Sequence, residues 1–177
     1  MNLVLIGLRG TGKSTVGQAL SARLNREFYD TDSLVQERAG MSVRELFEQH
    51  GEARFREIES QLVQECATAK NAVIATGGGA VLAPENVSAL KKDGFIVHLT
   101  ANPAELWHRI SRDQLTHQTR PKLVQGAVSG VDELTKLLLA RAAIYACARD
   151  VEVSVEGRTP DEVVEAIVIL MRAHGVR

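Results

Sequence analysis

The sequence predicts a three-layer α/β fold in which helices cover both faces of a central five-stranded parallel sheet. Short apolar runs alternate with helical patterns along the chain, which is typical of βα units around a parallel sheet. The length of 177 residues lies within the range of about 100–200 for one domain, so we expect a single domain over residues 1–177. With 45% apolar and 24% charged residues, the composition allows a substantial core and excludes a disordered chain.

Local patterns place the strands and several helix ends. Asn102 before Pro103 supplies a helix cap followed by a first-turn proline, and the run TPDE at 159–162 is typical of a capping box with proline at its first helical position. The last helix is expected to end near Gly175. The five predicted strands are residues 2–6, 27–30, 72–76, 95–100 and 151–155.

Charge and cysteine content narrow the class of protein. Twenty-one Lys and Arg against twenty-two Asp and Glu give a net charge of −1, so no global basic field favours nucleic acid or an anionic membrane as a partner. Cys66 and Cys147 form neither a C-x-x-C pair nor a disulfide framework, and we interpret both as packing residues. The first ten residues contain too few apolar side chains for a signal or a membrane span. We therefore expect a cytoplasmic protein. A further expectation is a monomer.

The strongest motif is a phosphate-binding loop at residues 7–14. The run GLRGTGKS fits G-x-x-x-x-G-K-[ST] directly after a predicted strand and directly before a helical pattern. Its glycines allow backbone N–H groups to turn toward phosphate oxygens, and the following helix adds its positive end. Lys13 can reach the β- and γ-phosphates, and the Ser14 hydroxyl can bind Mg²⁺. The motif predicts a site for a nucleoside triphosphate.

Two acidic residues follow the second predicted strand, at the sheet edge where α/β folds place their ligands. Asp30 can support the magnesium ion, and Asp32 can accept a hydrogen bond from a substrate hydroxyl. The alternative is that Asp32 caps a helix beginning near Ser33.

Two arginines are candidates for binding an anionic acceptor. Arg141 lies within the apolar stripe of a predicted helix over 133–149, and an inward guanidinium needs an anionic partner. Arg56 borders the apolar stripe of a predicted helix over 52–69, where Glu59 can hold it. The alternatives are an internal ion pair or a snorkelling side chain for Arg141, and a solvated ion pair for Arg56.

Further candidates lie in loops. Gly77, Gly78 and Gly79 leave bare backbone that a ligand can approach, or form only a sharp turn. The polar stretch around Pro121 is longer than most connections and predicts a mobile lid. Arg120 can present its guanidinium from this lid to the transferring phosphoryl group, or is a solvated loop residue. Arg109 and Arg158 are candidates for flanking the adenine.

Taken together, the motifs resemble those of the shikimate kinase family. They are GLRGTGKST at 7–15, DTD at 30–32, FRxIE at 55–59, TGGGAV at 76–81, RP at 120–121 and RAAIY at 141–145. The resemblance covers essentially the whole chain and implies a P-loop kinase fold like that of nucleoside-monophosphate kinases. It also implies a substrate-binding region at about 31–61 and a lid at about 111–126.

The resemblance also implies roles for individual residues. Asp32, Arg56, Gly78 and Arg141 would bind shikimate. Ser14 and Asp30 would serve Mg²⁺. Lys13, Asp32 and Arg120 would be catalytic as the γ-phosphoryl of ATP moves to the 3-hydroxyl of shikimate. ATP would be bound by Gly10, Thr11, Gly12, Lys13, Ser14 and Thr15, with Arg109, Arg120 and Arg158 around it.

One departure from the family pattern lies in the lid, and two rival functions remain open. The family commonly has leucine after Arg120-Pro121, where this chain has Lys122. A kinase for another small acid such as gluconate would share the phosphate loop but lack the full set of motifs. A nucleotide-dependent regulatory module would bind ATP without transferring its phosphate.

Overall fold

The computed structural model of the protein describes residues 1–112 and 128–176. Its centre is a parallel sheet with strand order β2-β3-β1-β4-β5, which confirms the predicted sheet. Each observed strand end lies within one residue of the predicted one. The strands are β1 (Asn2–Ile6), β2 (Phe28–Asp30), β3 (Val73–Ala75), β4 (Gly94–Thr100) and β5 (Val151–Ser154).

Burial of the central strands shows that the sheet is covered on both faces. All five residues of β1 and all three of β3 are buried, although successive side chains point to opposite faces. A strand buried on both sides carries a continuous apolar run instead of an alternating one. The sheet therefore lies between two layers of helices, as the sequence predicts.

The helices pack in neighbouring pairs around this sheet. In the described residues they are α1 (Lys13–Leu24), α2 (Thr31–Ala39), α3 (Val43–Ala67), α4 (Pro84–Lys92), α5 (Pro103–Arg112), α6 (Gly130–Ala148) and α7 (Pro160–Ala173). Helix α1 packs against α7, α2 and α4 both pack against α3, and α5 packs against α6. A short 3-10 turn, Ala80–Leu82, connects β3 to α4 and contacts α6.

The predicted helix caps are confirmed. The Asn102 side chain accepts a hydrogen bond of 2.9 Å from the Glu105 amide at the start of α5. Thr159 and Glu162 form both halves of a capping box at the start of α7. Gly175 lies just beyond the end of α7 with φ of +70°, a conformation that glycine adopts without steric cost.

Helix α3 begins earlier than the sequence predicts. A capping box between Ser42 and Glu45 starts it at Val43, nine residues before the expected beginning at 52. Gly51 interrupts the helix with φ of 77° and ψ of 169°, which kinks it. The helix pattern read from 52 onward is thus the portion after the kink.

The two cysteines differ in environment. Cys66 is buried in the main core, as predicted, whereas Cys147 is exposed, so its interpretation as a packing residue is wrong. The reason is helical geometry, since α6 buries Tyr145 and Ala148, and the two positions between them, including Cys147, face solvent.

A second, smaller core joins α2 to α3, apart from the main core around the sheet. Leu34 contacts both cores from the side. The buried members of the smaller core are Val35, Val43, Leu46, Phe55, Ile58 and Leu62.

Most of the predicted lid lies outside the described residues, and so does Arg120. The first two residues of the predicted range, 111 and 112, belong to the last turn of α5. Across residues 1–112 and 128–176, no helix is both long enough and apolar enough to cross a membrane.

Candidate active site

The phosphate-binding loop connects β1 to α1 and depends on glycine at three positions. Gly7, Gly10 and Gly12 have φ of +142°, +85° and +83°, values that L-amino acids with a side chain rarely adopt. A Cβ on Gly7 would also overlap the carbonyl oxygen of Leu99. The loop therefore reverses direction tightly and leads into the N-terminus of α1.

Lys13 is held inside this loop. Its Nζ donates hydrogen bonds to the carbonyl oxygens of Gly7 and Leu8 at 2.8 and 2.9 Å, and the residue is buried. These bonds fix a full positive charge at the start of α1, where the helix dipole adds to it. The arrangement suits the binding of phosphate oxygens.

Ser14 and Asp30, the two predicted magnesium residues, are in contact. The Ser14 hydroxyl donates a hydrogen bond of 2.5 Å to Oδ2 of Asp30. Hydroxyl and carboxylate oxygens are the hard donors that Mg²⁺ prefers, and this ion commonly combines one or two of them with phosphate oxygens and waters. The pair therefore fits a magnesium ion shared with a nucleotide.

The structure corrects the alternative interpretation of Asp32 as a helix cap. The cap of α2 is Asp30, whose Oδ1 accepts a hydrogen bond of 3.1 Å from the Ser33 amide. Helix α2 begins at Thr31, so Asp32 lies in its first turn and borders both cavities of the site.

A cleft of about 370 Å³ opens over the phosphate loop. The six predicted ATP-binding residues from Gly10 to Thr15 line it, together with Arg109 and Arg158. Arg109 is held in place by Glu105 at 2.8 Å and by the carbonyl oxygen of Val155 at 2.9 Å. The cleft thus combines the phosphate loop with two arginines at its rim.

A second cavity adjoins the cleft and carries the predicted acceptor residues. Arg56 comes from α3, Arg141 from α6, and Asp32 from α2, while Gly78 and Gly79 follow β3. The remaining lining residues are Leu8, Arg9, Val43, Phe47, Phe55, Glu59 and Leu137. The structure therefore brings the two arginines to one cavity, with apolar walls between them.

Arg56 is anchored by a buried carboxylate. Its Nη1 donates to Oε2 of Glu59 at 2.6 Å, and its Nε and Nη2 donate to Glu52 at 3.3 and 3.2 Å. Glu59 is only 2% exposed, and burial raises the pKa of its carboxyl group above the usual range although Arg56 opposes this shift. The Arg56–Glu59 pair is therefore not the solvated ion pair of the alternative interpretation.

Arg141 is buried as well and does not snorkel to solvent. Its Nη1 donates to the carbonyl oxygen of Gly78 at 3.0 Å, and the Tyr145 hydroxyl donates to the same oxygen at 2.6 Å. Tyr145 in turn stacks on His98, with ring centroids 4.5 Å apart. Burial raises the pKa of Tyr145 to about 12, so its hydroxyl stays protonated and remains a donor.

Nearby side chains leave no room for a Cβ at two positions of the glycine run after β3. A Cβ on Gly79 would overlap the Arg56 guanidinium, and one on Gly77 would overlap Glu59 and Asp32. Gly77 does not line either cavity itself. The run therefore gives Arg56, Glu59 and Asp32 the space they occupy.

Sequence reasoning missed two side chains of α6. Tyr145 follows Arg141 by four residues and Glu133 precedes it by eight, so all three lie on one helix face. This spacing could have indicated that Glu133 and Tyr145 face the same side of α6 as Arg141. The partners of these residues lie far away in the chain, so spacing alone does not reveal them.

Comparisons with known proteins agree on one family. The shikimate kinase family model matches residues 9–172. A shikimate kinase from Symbiobacterium thermophilum is 43% identical over 180 residues, covering 100% of this chain and 99% of the relative. The structure of a shikimate kinase from Acinetobacter baumannii in complex with shikimate has a TM-score of 0.90 at 30% identity, covering 99% of this chain and 95% of that one.

A gluconokinase structure from Sinorhizobium meliloti shares the fold alone, with a TM-score of 0.56 at 16% identity over 97% of this chain and 92% of that one. The match to the shikimate kinase model, by contrast, runs from the phosphate loop to the last helix. The chain therefore belongs to the shikimate kinase family.

Proposed function

We propose that this protein transfers the γ-phosphoryl of ATP to the 3-hydroxyl of shikimate, giving shikimate 3-phosphate and ADP. This is a step of chorismate and aromatic amino-acid biosynthesis. The observation that carries the proposal is the junction of two cavities, with Asp32 bordering both. One cavity lies over a phosphate loop, and the other is lined by the partly buried Arg56 and the buried Arg141. A phosphoryl donor and an acidic acceptor can thereby meet at one carboxylate.

The acceptor cavity suits a small cyclic acid with hydroxyl groups. Arg56 and Arg141 would bind the carboxylate, since a guanidinium matches a carboxylate with two parallel hydrogen bonds. Glu59 offsets one of the two positive charges. Phe55 and Leu137 offer apolar surface to the ring. The backbone of Gly78 and Gly79 would approach the ligand closely because no side chain intervenes.

The cleft suits the triphosphate of ATP. Residues 10–15 would hold the phosphates through backbone N–H groups and the Lys13 ammonium, while Arg109 and Arg158 would border the nucleoside. Ser14 and Asp30 would hold Mg²⁺, which when bound neutralises charge on the β- and γ-phosphates.

Asp32 would act on the acceptor hydroxyl at the junction. Its carboxylate can orient the hydroxyl toward the γ-phosphorus and take the proton as the new oxygen–phosphorus bond forms. Arg120, which lies outside the described residues, stays a prediction as a further catalytic residue of the lid. Replacing Arg120 by Ala is expected to lower kcat.

The test is release of ADP with shikimate, gluconate, a nucleoside monophosphate or no acceptor. We expect turnover that depends on shikimate and yields shikimate 3-phosphate by mass spectrometry. Turnover with gluconate alone would favour a kinase for another small acid. ATP binding without turnover on any acceptor would favour a regulatory module.

We also infer that one chain is sufficient for the reaction and that it works in the cytoplasm. The phosphate loop, Asp32 and the two acceptor arginines of one chain meet at these cavities, so the proposed reaction needs no residue from a second copy, and we propose a monomer. The free thiols of Cys66 and Cys147 suit a reducing compartment. Light scattering after size exclusion is expected to give the mass of one chain, and a dimer mass would overturn the monomer.

A further inference from the structure

The junction between the cleft and the acceptor cavity is formed by two side chains. Among residues 1–112 and 128–176, only Arg9 and Asp32 line both cavities. Asp32 carries the negative charge and comes from the acceptor side. Arg9 carries the positive charge and comes from the phosphate loop, two residues after Gly7. A phosphoryl group that passes from donor to acceptor crosses this junction.

The other arginines of the site are divided between the two cavities. Arg56 and Arg141 border the acceptor cavity but not the cleft, while Arg109 and Arg158 border the cleft but not the acceptor cavity. The carboxylate of the acceptor and the nucleoside of the donor therefore have arginines of their own. Among the residues that the structure describes, Arg9 is the guanidinium placed between them.

A buried ion pair fixes Arg9 in this position. Its Nη2 lies 2.9 Å from Oε2 of Glu133, and the two side chains are only 11% and 6% exposed. Glu133 lies in the first turn of α6, the helix that also carries Arg141. A buried ion pair adds little net stability over apolar residues of the same size, because both charges lose their hydration. Packing alone therefore does not account for these two charges at the junction.

A paired guanidinium can still serve an anion. Its planar fork presents five N–H donors, so the bond to Glu133 and contacts with phosphate oxygens are compatible. The pair also holds the fork in one orientation before the substrates arrive, and such preorganised charge is what stabilises a transition state. In phosphoryl transfer the charge that needs stabilisation is spread over the three equatorial oxygens.

We propose that Arg9 is a catalytic residue whose guanidinium contacts the phosphoryl group in transfer, and that Glu133 is the positioning residue that holds it. This inference rests on the proposed function. The acceptor oxygen forms a bond to the γ-phosphorus as the bond from that phosphorus to the bridging oxygen of ADP breaks. ADP leaves with that electron pair, and the hydroxyl proton passes to Asp32. Arg9 neither gives nor takes a proton.

The test compares steady-state kinetics of the full chain with those of three variants. Arg9→Met removes the charge, and Arg9→Lys keeps a point charge without the planar fork. Because Arg9→Met removes the ion pair from the buried Glu133 carboxylate, the double variant Arg9→Met/Glu133→Gln removes both charges together. The matched control is Arg23→Met/Glu165→Gln, which removes an exposed ion pair between α1 and α7.

For Arg9→Met and the double variant we expect kcat to fall about 10²–10³-fold, the loss found when one charged or polar stabiliser of a transition state is removed. The KM values for ATP and shikimate should each change less than about threefold, since the contact forms in transfer. Arg9→Lys should recover part of kcat, and the control should match the wild type. Thermal unfolding of the double variant close to that of the wild type would assign the loss to chemistry.

Three results would overturn the inference. One is a double variant with kcat within twofold of the wild type. Another is a raised KM for shikimate at unchanged kcat, which would assign Arg9 to acceptor binding. In both cases shikimate-dependent turnover by the wild type leaves the proposed function intact. The third is a wild type without that turnover, which overturns the proposed function together with this inference.

Discussion

A single added methyl group at Gly79 should disable the acceptor cavity. The backbone of Gly79 has φ of −107° and ψ of −2°, which alanine adopts without strain, so Gly79→Ala changes only the space around its Cβ. That Cβ would overlap Nη1 of Arg56 and lie 2.7 Å from its Cζ and Nη2. The guanidinium must move away, and Arg56 then leaves the position from which it would donate a hydrogen bond to the acceptor carboxylate. A hydrogen bond between charged groups contributes about 1.5–3 kcal/mol.

That free energy corresponds to a dissociation constant for the acceptor that is about 10- to 150-fold higher. Coupled measurement of ADP release over a range of shikimate concentrations at saturating ATP should show this rise in KM, while the KM for ATP stays within about twofold. Equilibrium binding of shikimate should weaken by the same factor. An unchanged KM for shikimate would refute the assignment of Arg56 to this cavity, and an equal loss for both substrates would indicate a folding defect instead.

Three further predictions follow from the same geometry. Arg141→Met should weaken shikimate binding about 10- to 150-fold, because one charge-assisted hydrogen bond is lost, and leave ATP binding unchanged by calorimetry. Lys13→Ala should lower kcat by about 10²–10³ with little change in shikimate binding, because it removes charge from the phosphate site. Burial beside Arg149 and Lys13 lowers the pKa of His98 from 6.5 to about 4, so its neutral form stabilises the fold above pH 6.5. As pH falls from 6.5 to 4, the free energy of unfolding measured with denaturant should lose a contribution of about 3 kcal/mol from His98. The free energy of unfolding of His98→Phe should fall less over the same range.

Each of these has a result that would contradict it. If the Arg141→Met variant binds shikimate as tightly as the wild type, Arg141 does not bind the acceptor. Lys13→Ala with wild-type kcat would mean that its ammonium does not act on the phosphates. Equal pH dependence of unfolding in the wild type and His98→Phe would mean that His98 is not the group that destabilises the acidified protein.

Local motifs made the fold and the phosphate loop predictable. A glycine pattern between a strand and a helix determines its own geometry, so residues 7–14 could be interpreted without tertiary information. Arg141 could be placed facing inward because an apolar stripe surrounds it on one helix. Its hydrogen bond to Gly78, 63 residues away, could not be predicted because nothing local encodes it.

Other features depended on contacts that compete at neighbouring positions. Aspartate is a good cap residue at either position 30 or position 32, and the structure uses Asp30, whose two oxygens accept hydrogen bonds from Ser14 and Ser33. The Arg9–Glu133 pair joins residues that lie 124 positions apart, so the burial of both charges was invisible in the sequence.

The smaller core between α2 and α3 bears on local opening of this part of the molecule. Because its six buried residues form a cluster of their own, the segment can open cooperatively without separating the strands of the sheet. Amide hydrogens there should exchange with solvent through a partial opening that costs less than global unfolding. The wall that Val43 and Phe55 contribute to the acceptor cavity thus belongs to a cluster separate from the core around the sheet, and we expect the acceptor cavity to open more readily than the phosphate loop.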